Sequence, residues 1–288
     1  MNNSTHLRDI RWVSLDFETL GLAPSIDPII EVGAVFFRRS GMTTRTFGTL
    51  CNPGLPVPNR IRELTGIDDA MLQGQPTPDD PIRRIADWLI AEPHIIVAHG
   101  VATDLAFLRE NITRLGIELP PMIAVDTLPL SRLCIEGSPD YKLETLANSL
   151  PGGDGPWKAH RALDDALQTR NLFLHCLQNS PKPLDTIEDL EKARVLIREP
   201  KVPIHVRPIP ERFETLVTWT REEKLIEFVY RAGSRKGEWR IVQPQTFFQR
   251  GGHHYLRGWC TTDRVGKDFR LDRIGAFRLS EDESSRDE

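Results

Sequence analysis

Three strand-like runs crowd into the first fifty residues, and strands and helices then alternate up to about residue 178. Arg11–Phe17 is a short apolar run. Ile29–Arg38 is β-branched and aromatic, and Ser40-Gly41 supplies a turn into Thr43–Thr49. Runs this close together in sequence predict an antiparallel meander. Asn59–Leu64 reads as a short helix stopped by Gly66. Asp79–Ile90 is an amphipathic helix with Ile82, Ile85, Ala86 and Leu89 on one stripe, and Pro93 stands just beyond it. A strand at His94–His99, a helix from about Asp104 to Leu115, a strand at Ile123–Asp126 and helices at Tyr141–Leu150 and Arg161–Leu177 follow. A meander that continues into alternating helices and strands predicts an α/β fold, a mixed sheet covered by helices.

Residues 179–211 open and close with prolines (Pro181 and Pro183; Pro203, Pro208 and Pro210) around a possible helix at Leu184–Arg198, which reads as a semi-rigid linker. From 212 to 280 the character changes. Short strand candidates at Leu225–Tyr230, Trp239–Val242, Thr246–Gln249, Tyr255–Cys260 and Asp268–Leu271 are separated by Gly-rich or charged turns, which predicts a small β-barrel or sandwich.

The net charge of -4 argues against a polyanionic partner, yet its distribution does not. Residues 1–211 carry 22 basic and 28 acidic side chains, residues 212–280 carry 14 and 8, and residues 281–288 carry 1 and 5. An acidic body, a basic block and an acidic tail are hidden in the sum, and such asymmetry fits either a nucleic-acid partner or a solvated basic face. With 39% hydrophobic and 27% charged residues, wholesale disorder is excluded. No window approaches a membrane-spanning apolar run, and Met1–Arg11 lacks the apolar core of a secretory signal, so a cytoplasmic chain is expected. Cys51, Cys134, Cys176 and Cys260 lie far apart without a CxxC pair, which argues against a structural zinc site or a disulfide framework.

Asp16 and Glu18 stand two apart at a strand end, so both project to one face and Phe17 to the other. Asp104 and Asp165 fall in the first turns of helices, and His160 precedes Asp165 by five residues. Each acid alone has an ordinary explanation, as a solvated strand end or a partner of the helix dipole. Jointly they place carboxylates where three elements reach one sheet edge. Such a cluster raises its own pKa values unless divalent cations neutralise it, and hard oxygen donors suit Mg²⁺ or Mn²⁺.

The segment Asp16-Phe17-Glu18-Thr19, with Gly21 and Ile30-Glu31-Val32-Gly33-Ala34-Val35, resembles the first motif of the DnaQ-like (DEDDh) 3′–5′ exonucleases. Ala98-His99-Gly100 through Asp104-Leu105-Ala106-Phe107-Leu108 resembles the second, and His160-Arg161-Ala162-Leu163-Asp164-Asp165-Ala166 the third. The resemblance spans residues 9–178 and implies a ribonuclease H-like mixed sheet of five strands flanked by helices. It implies that Asp16, Glu18, Asp104 and Asp165 hold two Mg²⁺ or Mn²⁺ ions and that His160 is the general base. Glu63-Leu64-Thr65-Gly66-Ile67 resembles the loop beside the terminal base, so Phe17, Thr19, Leu20, Glu63, Leu64, Thr65 and His99 are the implied substrate contacts. Packing in the core is a nearly equal reading for Phe17 and Leu20, and His99 reads better as a strand-end structural residue. Asp126-Thr127, which also recurs in that family, reads either as support behind the metal ligands or as a helix cap.

Residues 212–280 are similar to a WYL domain, an SH3-like barrel, although His254 stands where that domain has its first-letter Trp. The similarity implies binding of nucleic acid or a regulatory nucleotide through Arg240, His254 (or His253), Tyr255, Arg257, Arg270 and Arg273, with internal Arg–Asp pairing as the competing reading. The chain is therefore expected to remove nucleoside monophosphates from single-stranded nucleic acid, DNA favoured over RNA. The rival expectations are a nucleotide-sensing regulator and an RNA-directed exonuclease.

Overall fold

A computed structural model describes residues 2–150, 160–198, 208–233, 235–250 and 252–280. The chain forms two compact units. The first comprises Met1–Thr19, Ile29–Leu55 and Arg62–His205, the second Leu20–Pro28, Pro56–Ile61 and Val206–Glu288.

In chain order the elements are β1 (Trp12–Thr19), β2 (Ile29–Phe37), β3 (Thr43–Leu50), α1 (Asn59–Thr65), α2 (Asp69–Leu72), α3 (Asp79–Ala91), β4 (Ile95–Ala98), α4 (Ala102–Arg114), β5 (Ile123–Asp126), α5 (Thr127–Cys134), α6 (Leu143–Ser149), α7 (Ala162–Asn179), α8 (Ile187–Lys192) and β6 (Leu196–Arg198). The second unit adds α9 (Glu214–Arg221), β7 (Ile226–Tyr230), β8 (Trp239–Arg250), β9 (His253–Cys260), β10 (Val265–Arg270) and β11 (Ile274–Leu279).

The sheet of the first unit runs β3-β2-β1-β4-β5-β6. β1, β2 and β3 pair antiparallel as the meander predicts, while β4 joins β1 and β5 joins β4 in parallel. Strand alternation divides β1 between two cores. Val13 and Leu15, with half-buried Phe17, pack with Ile82 and Ile85 of α3 and Phe107 and Leu108 of α4. Trp12 packs on the opposite face against Leu172 and Phe173 of α7, its ring centred 4.7 Å from that of Phe173. Asp16 and Glu18 share the parity of Trp12, so the same two-residue period turns them toward α7.

Two expectations need correction. The sheet has six strands, because Leu196–Arg198 pairs antiparallel with β5. Residues 184–198 are accordingly no free connector: Leu184, Ile187, Leu190 and Val195 are buried in the α7-side core, and Thr186 and Asp189 form a reciprocal capping box at the start of α8. Residues 199–207 of that proline-rich stretch, and the acidic tail 281–288, lie outside the described residues.

In the second unit five strands form an antiparallel sheet in the order β10-β9-β8-β7-β11. Two expected strands, at 239–242 and 246–249, are one strand with its register shifted between Pro244 and Thr246. Proline has no N–H to offer a ladder, so it interrupts pairing without ending the strand. Phe213, Leu216, Phe228, Phe247, Leu256 and Phe269 form the core, and Ala23 belongs to it. Asp27 turns the Leu20–Pro28 loop, its carboxylate accepting from Ala23 N at 2.9 Å, and Arg221 donates to the Ile26 carbonyl. Among the described residues no helix is long and apolar enough to cross a membrane.

Candidate active site

The site is assembled by a cross-strand row and one close approach. In the antiparallel ladders Asp16 lies opposite Gly33, which lies opposite Gly48; Glu18 lies opposite Glu31. Directly opposed residues share a face. The first turn of α7 rests on that face. A Cβ at Gly33 would stand 2.0 Å from the Ala162 carbonyl oxygen, and one at Gly48 would stand 2.8 Å from Leu163 Cδ2. Two glycines therefore let the helix backbone come near enough to bring Asp165 to Glu18.

Helix α7 has no side-chain N-cap of its own. Glu31, 5% exposed, supplies one from the strand, accepting from Ala162 N at 3.0 Å and from Arg161 Nε and Nη2 at 3.1 and 2.7 Å. A carboxylate at a helix N-terminus satisfies an orphan N–H and complements the dipole. Just before this clamp His160 sits in the left-handed region at φ 61°, and its N–H donates to Asp165 Oδ2 at 3.1 Å. Glu18, His160 and Asp165 each offer a ligand atom within 4.8 Å of the others. From the other side, Asp104 in the first turn of α4 accepts from the backbone N–H of Phe17, which ties it to β1 between Asp16 and Glu18.

The acids are buried faster than they are neutralised. Burial, then Asp104, Asp165, Glu18 and Glu31, hold the Asp16 carboxyl well above the usual carboxylate range. Burial followed by Asp165, Glu31 and Asp104 pushes Glu18 up to about 8, with Arg161 acting the other way. Asp104 is pushed up to about 7 by burial first, with Asp126 and Asp165 adding to it. Arg161 is already bidentate on Glu31. Uncompensated hard oxygen donors at this density fit divalent cations.

Carboxyls whose folded pKa is raised stabilise the fold below their unfolded pKa and lose that contribution as pH rises through the folded value. In EDTA the protein should therefore lose stability between about pH 4 and pH 8. Asp104→Asn should recover about 1–3 kcal/mol at pH 8, roughly 3–10 °C in Tm, and nothing near pH 4. A Tm difference that does not vary with pH would contradict this account of the site.

The remaining expected contacts divide. His99 Nε2 donates to the Tyr141 carbonyl at 2.8 Å, and Nδ1 lies 2.9 Å from the Thr127 hydroxyl, so both nitrogens of this half-buried ring have protein partners. Asp126 caps α5 through Leu128 N and also accepts from Gly100 N, both at 2.9 Å. Leu20 is buried, and Phe17 packs among the α3–α4 core residues. Glu63 and Leu64 are exposed on α1, whereas Thr65 is buried with its hydroxyl accepting from Ile67 N at 3.0 Å. Thr19 is half-buried at the end of β1. The Glu31–Arg161 clamp was not expected as part of the site. Its signal was present, since a lone glutamate inside Ile29–Phe37 must find a partner when buried.

In the second unit Arg240 is 3% exposed and paired with Asp263, so it is an internal ion pair and not a ligand contact. Arg257 pairs with Asp268 and Arg270 with Asp272, but both remain on the open face of the sheet. Tyr255 stacks on Phe248 at 5.2 Å, with the Arg250 guanidinium 4.8 Å from the Tyr255 ring and that of Arg257 5.0 Å from the Phe248 ring. His254 Nε2 contacts Gln249 Nε2 at 2.6 Å, and Arg273 is exposed between Asp272 and Ile274.

Residues 13–173 match the RNase_T exonuclease family, and residues 211–279 match the WYL domain. The chain is 32% identical over 198 residues to the PolC-type DNA polymerase III of Thermotoga maritima, covering 67% of this chain and 14% of that protein. It is 32% identical over 187 residues to the 3′-5′ exonuclease DinG of Bacillus subtilis, covering 63% and 19%. It is 31% identical over 173 residues to the DNA polymerase III subunit epsilon of Aquifex aeolicus, covering 60% and 83%. The chain thus spans about one-seventh of the length of the PolC-type relatives. Among solved structures, E. coli exonuclease I in complex with a dA16 oligonucleotide shares the fold at a TM-score of 0.53 and 14% identity, over 94% of this chain and 63% of that one. The nuclease domain of 3′hExo, a DEDDh family member bound to rAMP, does so at 0.50 and 18%, over 61% and 96%.

Proposed function

The chain belongs to the RNase_T exonuclease family, and from that premise we propose that it hydrolyses the terminal phosphodiester at the 3′ end of single-stranded nucleic acid, DNA before RNA, releasing nucleoside monophosphates. The observation that carries this reading is the meeting of Glu18, His160 and Asp165 within 4.8 Å, beside half-buried Asp16 and buried Asp104. Asp16, Glu18, Asp104 and Asp165 would hold two Mg²⁺ or Mn²⁺ ions. When bound, such ions activate water and offset the charge that develops on the scissile phosphate and the departing 3′ oxygen. The chain's own work is positioning and proton transfer. Glu31 and Arg161 fix the start of α7, so that His160 faces the acids and takes the proton of the attacking water on an imidazole nitrogen.

A 5′-labelled single strand should be shortened from its 3′ end in Mg²⁺ or Mn²⁺, with a mononucleotide product, and should persist in EDTA. Internal cleavage, or shortening from the 5′ end, would refute the proposal. Duplex, single-stranded DNA and RNA compared in one assay would rank the substrates.

The WYL sheet would bind the strand or a regulatory nucleotide on its open face, where Tyr255 and Phe248 offer π-faces and Arg250, Arg257, Arg270 and Arg273 offer cations. Tyr255→Ala should weaken single-strand binding by about 1–3 kcal/mol, a roughly 5- to 150-fold rise in Kd, in a fluorescence-anisotropy titration of nuclease-inactive protein. An unchanged Kd would remove the strand from this face.

A further inference from the structure

Away from the acids, the first unit brings two thiols together. Cys134 ends α5 and Cys176 lies near the end of α7, and the helices pack through Leu130, Leu172 and Phe173. Cys134 Sγ donates to the Cys176 carbonyl at 3.5 Å, which brings its sulfur against the residue that carries the second thiol. We propose that Cys134 and Cys176 are a peroxide-sensitive pair that closes to a reversible intramolecular disulfide.

The pair is asymmetric in the way such chemistry requires. Cys134 is half-buried and reachable from solvent, while Cys176 is fully buried behind it. The neighbouring Cys176 and Ser180 side chains lower the Cys134 thiol to about 7, and Cys134 and burial raise the Cys176 thiol. A thiolate is the nucleophile toward peroxide, and a neighbouring thiol resolves the product. The Cys134 thiolate attacks one oxygen of hydrogen peroxide, the O–O bond breaks, and hydroxide leaves, giving a sulfenic acid. The Cys176 sulfur then attacks that sulfenyl sulfur, releasing water and forming the S–S bond. Two thiols are oxidised by two electrons, and one peroxide is reduced to two waters. Thiol reductants reverse the step. The other two cysteines are built differently: Cys51 is buried, its thiol pushed up to about 12 by burial and by Glu31, and Cys260 is buried in the second unit.

The bond would close the loop 134–176, which contains both His160 and Asp165. It would tie α5, whose first turn carries the Thr127 contact to His99, to the helix that carries Asp165.

The test treats the reduced full-length protein with hydrogen peroxide, then denatures and alkylates it. Two of the four thiols should become unreactive, intact mass should fall by two hydrogens, and peptide mapping should join Cys134 to Cys176. Tm without reductant should rise by roughly 5 °C or more and return on reduction. In Cys176→Ser, dimedone should label Cys134, because the sulfenic acid has no resolving thiol. Four alkylatable thiols after peroxide, a bond to another cysteine or another chain, or a sulfinic acid at Cys134 with Cys176 still alkylatable would each overturn the proposal.

Discussion

Asp16→Asn should lower 3′-end hydrolysis by about 10³-fold or more in either Mg²⁺ or Mn²⁺, a transition-state loss of about 4 kcal/mol or more. The substitution is nearly isosteric and removes one anion from the centre of the cluster. Asp16 is the acid on which the others bear, repelled by Asp104, Asp165, Glu18 and Glu31. Without its charge the remaining carboxylates repel one another less and hold cations less well. Activity and stability should therefore move in opposite directions, with the metal-free variant at least as heat-stable as the parent at pH 8. Retention of a tenth or more of the parent rate would exclude Asp16 from the chemistry. A lower Tm together with lost activity would mean that the fold, and not the reaction, had been damaged.

His160→Asn should cost about 10²–10⁴-fold in kcat while leaving KM for the oligonucleotide close to that of the parent. Asn is the informative replacement because the site demands a left-handed backbone, φ 61°, which Asn tolerates better than most side chains. The hydrogen bond from the backbone N–H to Asp165 survives, since it does not involve the side chain. What is lost is a group able to accept a proton. An equal fall in affinity and turnover would reassign His160 to substrate binding, and an unchanged kcat would remove it as the base.

Four of the central residues were legible as acids at the ends of elements whose period is easy to read, and His160 through the motif it shares with the exonuclease family. Asp16 and Glu18 follow strand parity, and Asp104 and Asp165 fall in first turns of helices. What could not be read depends on partners distant in the chain. Helix α5 was legible only as its cap, because Pro129 interrupts an eight-residue pattern, although proline is tolerated in a first turn that Asp126 caps. β6 is three residues long, and only its pairing with β5 makes it a strand. Arg240 carried the same signature as the exposed arginines of its sheet, and burial beside Asp263 separates it from them. Gly33 could be read as permissive, but not as the place where the Ala162 backbone passes.

The make-up of the second unit bears on how such a chain can be cut, swapped or inherited. Its core is completed by Ala23, and its fold takes in Leu20–Pro28 and Pro56–Ile61, segments that lie far upstream of the WYL match. Asn59 Nδ2 donates to Glu223, and Arg60 Nη2 to the Leu20 carbonyl, so these segments are stitched to the unit and to one another. A truncation before residue 212 would take away Phe213, Leu216 and Phe228 and expose both Ala23 and the buried Asp27 carboxyl. The WYL sheet is thus no cassette with a single splice point. Grafting it between proteins means transplanting three stretches of sequence as one interlocked set.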